Sequence, residues 1–415
     1  MRQWVVASFL VLLSLNAWGK SAWTLPDLYQ QALNQSETVQ ISKEKILEIR
    51  AQFLQILGGR LPQIGHQDSV FFQDKAPSNA NNNANSNLTR RYRPEVKFYF
   101  SQPLFQGFSE YHVAKMKKAA LSKAQYDLSQ EELNLYQDLT TVVITLNRIN
   151  RDIKDTQNVL LATRERWDIL TKHVDLGKAR LAQQYAEEAQ IHVIENNLTR
   201  LKTDRQVVQD TLIWMTGLNP LPPIAPPGFT YKKLPPLTNI AHRPDVLAAQ
   251  ANTIVSKREL KVSQAKLLPT INADANYYAH RVGVQKDIDW DAMLTLDLPL
   301  FNMANWGAIR TQKSLLAQAA LAEKKVAKEA SLGLDQARIR FESSQKEMRQ
   351  LELASRAAQK NFEASVSDFK LGLIDNLDVL ESQQAYLEIL LQKNQSKANQ
   401  DLAYVTYWIE TGQKP

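Results

Sequence analysis

The chain has 415 residues, 44% hydrophobic and 22% charged, a globular balance that excludes disorder throughout. It has no cysteine, which excludes disulfide frameworks, thiolate metal sites, cysteine nucleophiles and a lipid-modified N-terminal cysteine. The net charge of +7 comes from scattered Lys and Arg, which read as solvated helix faces and give no reason to expect nucleic acid as a partner.

In chain order, the first element is a targeting segment. Arg2 precedes a run from Trp4 to Leu15 that is apolar except for Ser8 and Ser14, and Ala17-Trp18-Gly19 offers a small-residue cleavage site. Residues 1–19 therefore read as a signal peptide cleaved near Gly19, and no later apolar stretch approaches the ~20 residues of a spanning helix. A helical segment then runs up to Leu61-Pro62. Two strands are expected next, at about 62–73 and 94–105. In the second, Val96, Phe98 and Phe100 alternate with polar residues and Tyr99, a period of two. The first is poorer, because its expected register puts His66 and Asp68 on the apolar face; either that end lies below the bilayer or the strand slips. Between the two lies an Asn/Ala/Ser tract, Asn79 to Asn87, which reads as an exposed loop tip.

No proline falls between Pro103 and Pro220 or between Pro299 and Pro415. Proline inside a helix costs ~3 kcal/mol, so these are the places for long helices. Leu139, Leu146, Ile153, Leu160 and Trp167 recur by sevens, and after Gly177 so do Ile194, Leu201, Val208 and Met215. Sustained sevens predict coiled-coil packing. One helix is predicted from about Phe108 to Leu176 and another from about Asn305 to Leu371. Residues 220–238 are a proline-rich linker, expected to be extended. Beyond it, strands are expected at about 269–281 and 289–301. Ile271, Ala273, Ala275 and Tyr277 line the apolar face of the first, and Trp290, Leu294 and Leu296 that of the second.

The chain repeats itself. Leu61-Pro62 aligns with Leu268-Pro269, Pro103-Leu104-Phe105 with Pro299-Leu300-Phe301, and Gly177 with Gly372. The mature chain is thus two copies of one unit, residues 20–219 and 239–412. No two of the six histidines lie three or four apart, and no Walker loop, G-x-G-x-x-G or G-x-S-x-G is present. Acidic pairs such as Glu187-Glu188 read as solvated helix faces. An enzyme is not predicted, and no cofactor or metal is expected.

The duplicated LP and PLF sequences, with Leu371-Gly372-Leu373-Ile374-Asp375-Asn376-Leu377-Asp378-Val379-Leu380-Glu381 as a second hairpin tip, resemble the bacterial outer membrane efflux protein family (the TolC family) over essentially the whole mature chain. The resemblance implies a mainly α fold with a small β part: two repeats of long coiled-coil helices, each with a β-hairpin. It implies a homotrimer that closes a twelve-stranded barrel in outer-membrane lipid above an α-helical periplasmic tunnel. It also implies a periplasmic adaptor (membrane fusion) protein and an inner-membrane pump or ABC transporter as partners. The function implied is the exit duct of a tripartite efflux or type I secretion system; a periplasmic or surface coiled-coil scaffold is the alternative. Lipid-facing residues would be Phe98, Phe100, Ala275, Tyr277, Leu294 and Leu296. The tips offered to the adaptor would be Leu176, Gly177 and Lys178, and Leu371, Gly372 and Leu373. Residues matching Asp378 and Glu381 face the pore in the family, which makes Asp375, Asp378 and Glu381 candidates for a constriction. The competing reading is that Asp375 or Asn376 caps the helix that follows. There are two departures from the family pattern. Phe108 stands where a second glycine often follows Gly107, and Gln183 stands where the first tip often has an acid, so an arginine–aspartate latch between the tips is not expected.

Overall fold

The computed structural model describes residues 22–74, 92–231, 240–282 and 287–415. The signal segment 1–19, the insert 79–87 and linker residues 232–238 lie outside the described residues. Seven α-helices and four strands follow in the order α1 Leu25–Gln35, α2 Glu37–Gly58, β1 Gln63–Phe72, β2 Tyr92–Gln106, α3 Ser109–Asp175, α4 Leu181–Thr216, α5 Pro244–Ala265, β3 Thr270–Arg281, β4 Trp290–Asp297, α6 Met303–Lys370 and α7 Asn376–Glu410. Helices α3 and α6, of 67 and 68 residues, are each about 100 Å long at ~1.5 Å per residue.

Two compact units cut across the sequence repeats. The first gathers the described residues of Met1–Gln40, Gln130–Arg243 and Ala330–Pro415, and the second those of Ile41–Ser129 and Pro244–Glu329. In the first unit most of the predicted seam is buried, while Trp167 and Val208 are half-buried. Leu139, Leu146, Ile149, Ile153 and Leu160 of α3 and Ile194 and Leu201 of α4 are all under 10% exposed. Helix α1 starts at Thr24, whose backbone N–H donates to Asp27 Oδ2 at 3.1 Å, the reciprocal half of a capping box. It buries Leu25, Leu28, Tyr29 and Ala32, one helical face, against Leu139, Val143, Leu212 and Val405. The described part of the linker is extended but not loose. Trp23 and Ile224 form a parallel bridge, Ile224 and Phe229 pack on the core, and Tyr231 donates to Asp401 Oδ1 at 2.5 Å. Gly333, in mid-helix, has a packing reason: a Cβ there would come within 2.7 Å of the Glu410 carboxylate, which pairs with Arg243.

The second unit holds one antiparallel sheet in the order β1-β2-β3-β4. Its middle seam, β2 with β3, joins the hairpin of one repeat to the hairpin of the other. Strand β4 ends at Asp297, four residues before the expected limit. The reason lies in its neighbours. Pro103 and Phe105 of β2 are held by Asn272 and Ile271 of β3, whereas Leu298 to Phe301 flank a strand that has no second neighbour among the described residues, and Leu298, Leu300 and Phe301 are exposed. The poor strand β1 does not slip. His66 pairs with Phe98 and Asp68 with Val96, and the two polar side chains satisfy each other at 3.1 Å.

At the junction of β2 and α3 two successive residues are left-handed, Gly107 at φ 58° and Phe108 at φ 62°. A Cβ on Gly107 would sit 2.5 Å from the Ala265 carbonyl oxygen, so glycine is obligatory there. Phe108, the family departure, accepts a strained conformation worth roughly 1–2 kcal/mol and stacks edge-on against Phe105 at 5.0 Å. Relief of that strain in Phe108→Gly is offset by ~0.5–1 kcal/mol of chain entropy and by the lost ring contact. We expect Phe108→Gly to stay within ~1 kcal/mol of the parent and Gly107→Ala to lose at least ~2 kcal/mol. Apparent melting temperatures in detergent check this, and equal losses would contradict it.

Candidate functional site

Two regions carry the residues singled out in the sequence: the sheet of the second unit and the helix ends of the first. In the sheet, direct cross-strand partners share a face. Phe98 faces Tyr277, Phe100 faces Ala275, and Tyr277 faces Trp290, Ala273 Leu294 and Ile271 Leu296. All six residues expected on the apolar side thus lie on one face; five of them are exposed and Ala275 is half-buried. The other face is polar and internally bonded. Ser101 Oγ donates to Asp274 Oδ1 at 2.6 Å. Asn276 Nδ2 and the Tyr278 hydroxyl both donate to Asp291, each at 2.7 Å. Arg281 pairs with Glu95 at 3.1 Å and lies over the Tyr278 ring at 4.0 Å. Thr295, opposite Asn272, belongs to this face. The sheet thus exposes aromatic and aliphatic side chains on one face and holds hydrogen-bonded carboxylates on the other.

In the first unit, the α3–α4 and α6–α7 turns are the same motif. Gly177 and Gly372 have φ 71° and 73°. Lys178 N–H reaches back to the His173 carbonyl at 2.7 Å, and Leu373 N–H to that of Asp368 at 2.9 Å, a Schellman closure that needs a left-handed residue. Leu176, Gly177, Lys178, Leu371, Gly372 and Leu373 are all exposed. The chemistry then diverges. Asp375 is the N-cap of α7: its carboxylate accepts from Asn376 N–H at 2.5 Å, and Asp378 Oδ2 accepts from Asp375 N–H at 3.1 Å. Asp375 and Asp378 are therefore engaged in a capping box. Glu381, one turn on, is exposed and outside it. Gln183, where the family pattern has an acid, donates its side-chain amide to Asp375 Oδ1.

Behind the tips lies a buried polar layer that the sequence reading missed. Glu187, expected on a solvated face, is fully buried; its neighbour Glu188 is exposed. Glu187 Oε1 lies 2.6 Å from Arg166 Nη2, close but not aligned as a hydrogen bond, and its Oε2 accepts from Asn376 Nδ2 at 3.0 Å. Arg166 Nη2 donates to Gln383 Oε1 at 2.5 Å, and Gln383 Nε2 donates to Thr163 Oγ1 at 2.8 Å. One network thus ties α3, α4 and α7 together. The signal was present in the heptads: Glu187 is seven residues before Ile194, and Asn376, Gln383 and Leu390 are spaced by sevens, so these polar residues occupy seam positions. A second layer has Asn394 donating to Asp152 at 2.9 Å and Asp155 at 2.8 Å, with Arg148 on Asp152 at 2.8 Å. Burial raises the Asp152 carboxyl above its ordinary range, against the pull of Asn394 and Arg148. Among the described residues no group of three or more His, Asp or Glu could hold a metal ion, and no helix is long and apolar enough to cross a membrane.

A mainly helical chain with very long helices and one small antiparallel sheet matches the fold of solved outer membrane channels. CusC, solved in forms that follow transmembrane channel formation, matches with a TM-score of 0.84 at 12% identity, over 96% of each chain. The outer membrane protein VceC of Vibrio cholerae matches at 0.83 and 15%, over 94% of this chain and 96% of its own. The CmeC outer membrane channel of Campylobacter jejuni matches at 0.82 and 13%, over 96% and 91%. At these identities the likeness is one of fold. No curated protein matches in sequence. Residues 238–406 match the model of the outer membrane efflux protein family. Over these residues the match agrees with the resemblance carried by the sequence motifs.

Removing one partner of a buried ion pair leaves the other uncompensated, at a cost of ~3–5 kcal/mol. Glu187→Leu and Arg166→Met are each expected to lose about that much stability, and the double variant to lose clearly less than their sum. Thermal melting of the three proteins tests the coupling; additive losses would show that the pair does not act as a unit.

Proposed function

We propose that the chain is the outer-membrane exit duct of a tripartite efflux or type I secretion system, working as a homotrimer with a periplasmic adaptor and an inner-membrane pump or ABC transporter. The observation that carries this reading is the sheet: an apolar exposed face, a bonded polar face and two open edges. Lipid cannot hydrogen-bond the free amides of β1 and β4, so a sheet in a membrane must close. The duplication supplies a template for closure. By repeat, β1 corresponds to β3 and β2 to β4, so β4 can meet β1 of a second copy as β2 meets β3 within one chain. Four alternating strands per chain keep every such seam antiparallel. Two copies would make an eight-stranded barrel, which side chains nearly fill; three make twelve strands and leave a channel. The exposed tips, Leu176 to Lys178 and Leu371 to Leu373, are the surfaces offered to the adaptor. Residues 1–19 supply the export signal.

Within this reading Glu381 faces the pore, while Asp375 and Asp378 cap α7 and add to the field at the mouth. Purified protein in planar bilayers is expected to give cation-selective single channels, with selectivity reduced in Glu381→Ala, and light scattering in detergent to report a trimer. A stable monomer or dimer, or the absence of conductance, would overturn the proposal.

The sheet register makes a separate demand. Leu296 faces lipid and Thr295 the lumen. Leu296→Arg is expected to lose ~2–4 kcal/mol near the midplane and to assemble poorly, whereas Thr295→Arg assembles normally. Heat-modified migration on gels reads this out, and equal assembly of the two would refute the register.

A further inference from the structure

The first three turns of α3 and the last turns of α2 enclose a groove of about 690 Å³ in the second unit, within the roughly 300–1,000 Å³ that suits a small apolar ligand. Ile49, Phe53, Leu54, Ala114 and Leu121 line it, with Tyr111 at one end. Its rim is cationic: Arg50, Arg60, Lys115, Lys117 and Lys118. Arg60 is paired with Glu110 at 3.3 Å, and Lys117 donates to Gln52 at 2.6 Å. Among the described residues, no acid lies within ion-pair distance of Arg50, Lys115 or Lys118. Arg60 is three residues before β1, and Tyr111 is five after the end of β2. The groove therefore sits where the strands hand over to the helices.

An apolar trough rimmed by three uncompensated cations fits neither a neutral hydrocarbon, which would leave the charges unanswered, nor a free anion, which would leave the trough open. It fits an anionic amphiphile. On the channel reading, on which this inference rests, the strand–helix junction is the periplasmic water–lipid boundary, where Tyr, Lys and Arg gather and basic pockets hold acidic headgroups. We infer that this groove binds one anionic phospholipid of the inner leaflet of the outer membrane. The acyl chain lies along Phe53, Leu54 and Leu121, and the phosphate lies against Lys115 and Lys118. The bound lipid anchors the base of the barrel to the leaflet through the two helices that carry β1 and β2.

The test uses the assembled protein, stripped of lipid by detergent exchange. It is titrated with phosphatidylglycerol, phosphatidylcholine or inorganic phosphate, with bound mass read by native mass spectrometry. Phosphatidylglycerol is expected to bind at one per chain and at least fivefold more tightly than phosphatidylcholine, with no retention of inorganic phosphate. The double variant Lys115→Glu/Lys118→Glu removes that preference. Ala114→Phe, which fills the trough without changing charge, reduces retention of both lipids. Equal binding of the two lipids, or unchanged retention in either assembled variant, would overturn the inference. Retention of inorganic phosphate alone would reduce the site to a bare anion site and overturn it too. Failure of the channel reading looks different: the parent would form no conducting trimer. A conducting trimer without lipid preference would sink only the lipid site.

Discussion

Two open sheet edges are the constraint around which the rest of this molecule is organised. A four-stranded sheet leaves one row of backbone donors and acceptors on β1 and another on β4. Each of those groups needs a partner, and in a medium without water the partner must be another strand. Soluble proteins blunt such edges with charges, bulges or prolines. Here the face next to the open β4 edge carries Trp290, Leu294 and Leu296, all exposed, and Leu298, Leu300 and Phe301 extend the apolar surface past its end. The polar side of the same sheet is locked by Asp291 and Asp274 bonds. The Asp274 and Asp291 carboxylates are thus satisfied within the chain, and in the proposed barrel closure would only have to supply backbone pairing.

The helical unit answers a different demand. A helix of 67 residues packed on a wholly apolar seam could slide by a heptad with little penalty, because successive sevens look alike. Polar residues at seam positions remove that freedom. Arg166, Glu187, Gln383 and Asn376 find their partners only at one register, as do Asp152 and Asn394. Such layers contribute little net stability, since desolvation offsets most of the attraction; their effect is to make every wrong register costly. They lie between the tips and the apolar cluster of α1, so the tips are aligned by specific bonds and the far end by close packing.

Much of this was legible in the residues. Proline gaps gave α3 and α6 to within two residues of their ends, because proline and glycine act locally on a helix backbone. Period-two alternation put Phe98, Phe100, Tyr277, Leu294 and Leu296 on one face, because side-chain direction in a strand is set by parity alone. What escaped was whatever depends on a neighbour. Strand β4 stops at Asp297 because it has no partner beyond. The compact units cut across the repeats, since long helices serve one unit with one end and the other unit with the other. Helix α1 hid because its amphipathic face is only 11 residues long. Glu187 was misread because charge was taken as evidence of exposure; its place in the Ile194 heptad argued the opposite. Phe108 could be seen only as a departure, and its positive φ explains what the missing glycine would have done.

Duplication also explains how one backbone motif serves two chemistries. Gly177 and Gly372 close identical turns, so geometry cannot distinguish the tips. Their side chains do. The first tip carries Lys172, His173, Lys178 and Arg180 around its turn, with Asp175 the only acid; the second carries Asp368, Asp375, Asp378 and Glu381, with Lys370 the only base. The Gln183–Asp375 bond joins them without neutralising either, because its donor is uncharged. In the proposed trimer the tips would therefore alternate in sign around the mouth. Exposed charges contribute little to affinity, but they steer encounter and penalise a partner set one tip out of phase, where like charges meet. An adaptor reading only the backbone turn would face six equivalent sites. One that reads charge as well faces three of each kind, so charge selects between the two kinds of tip that the turn alone leaves equivalent.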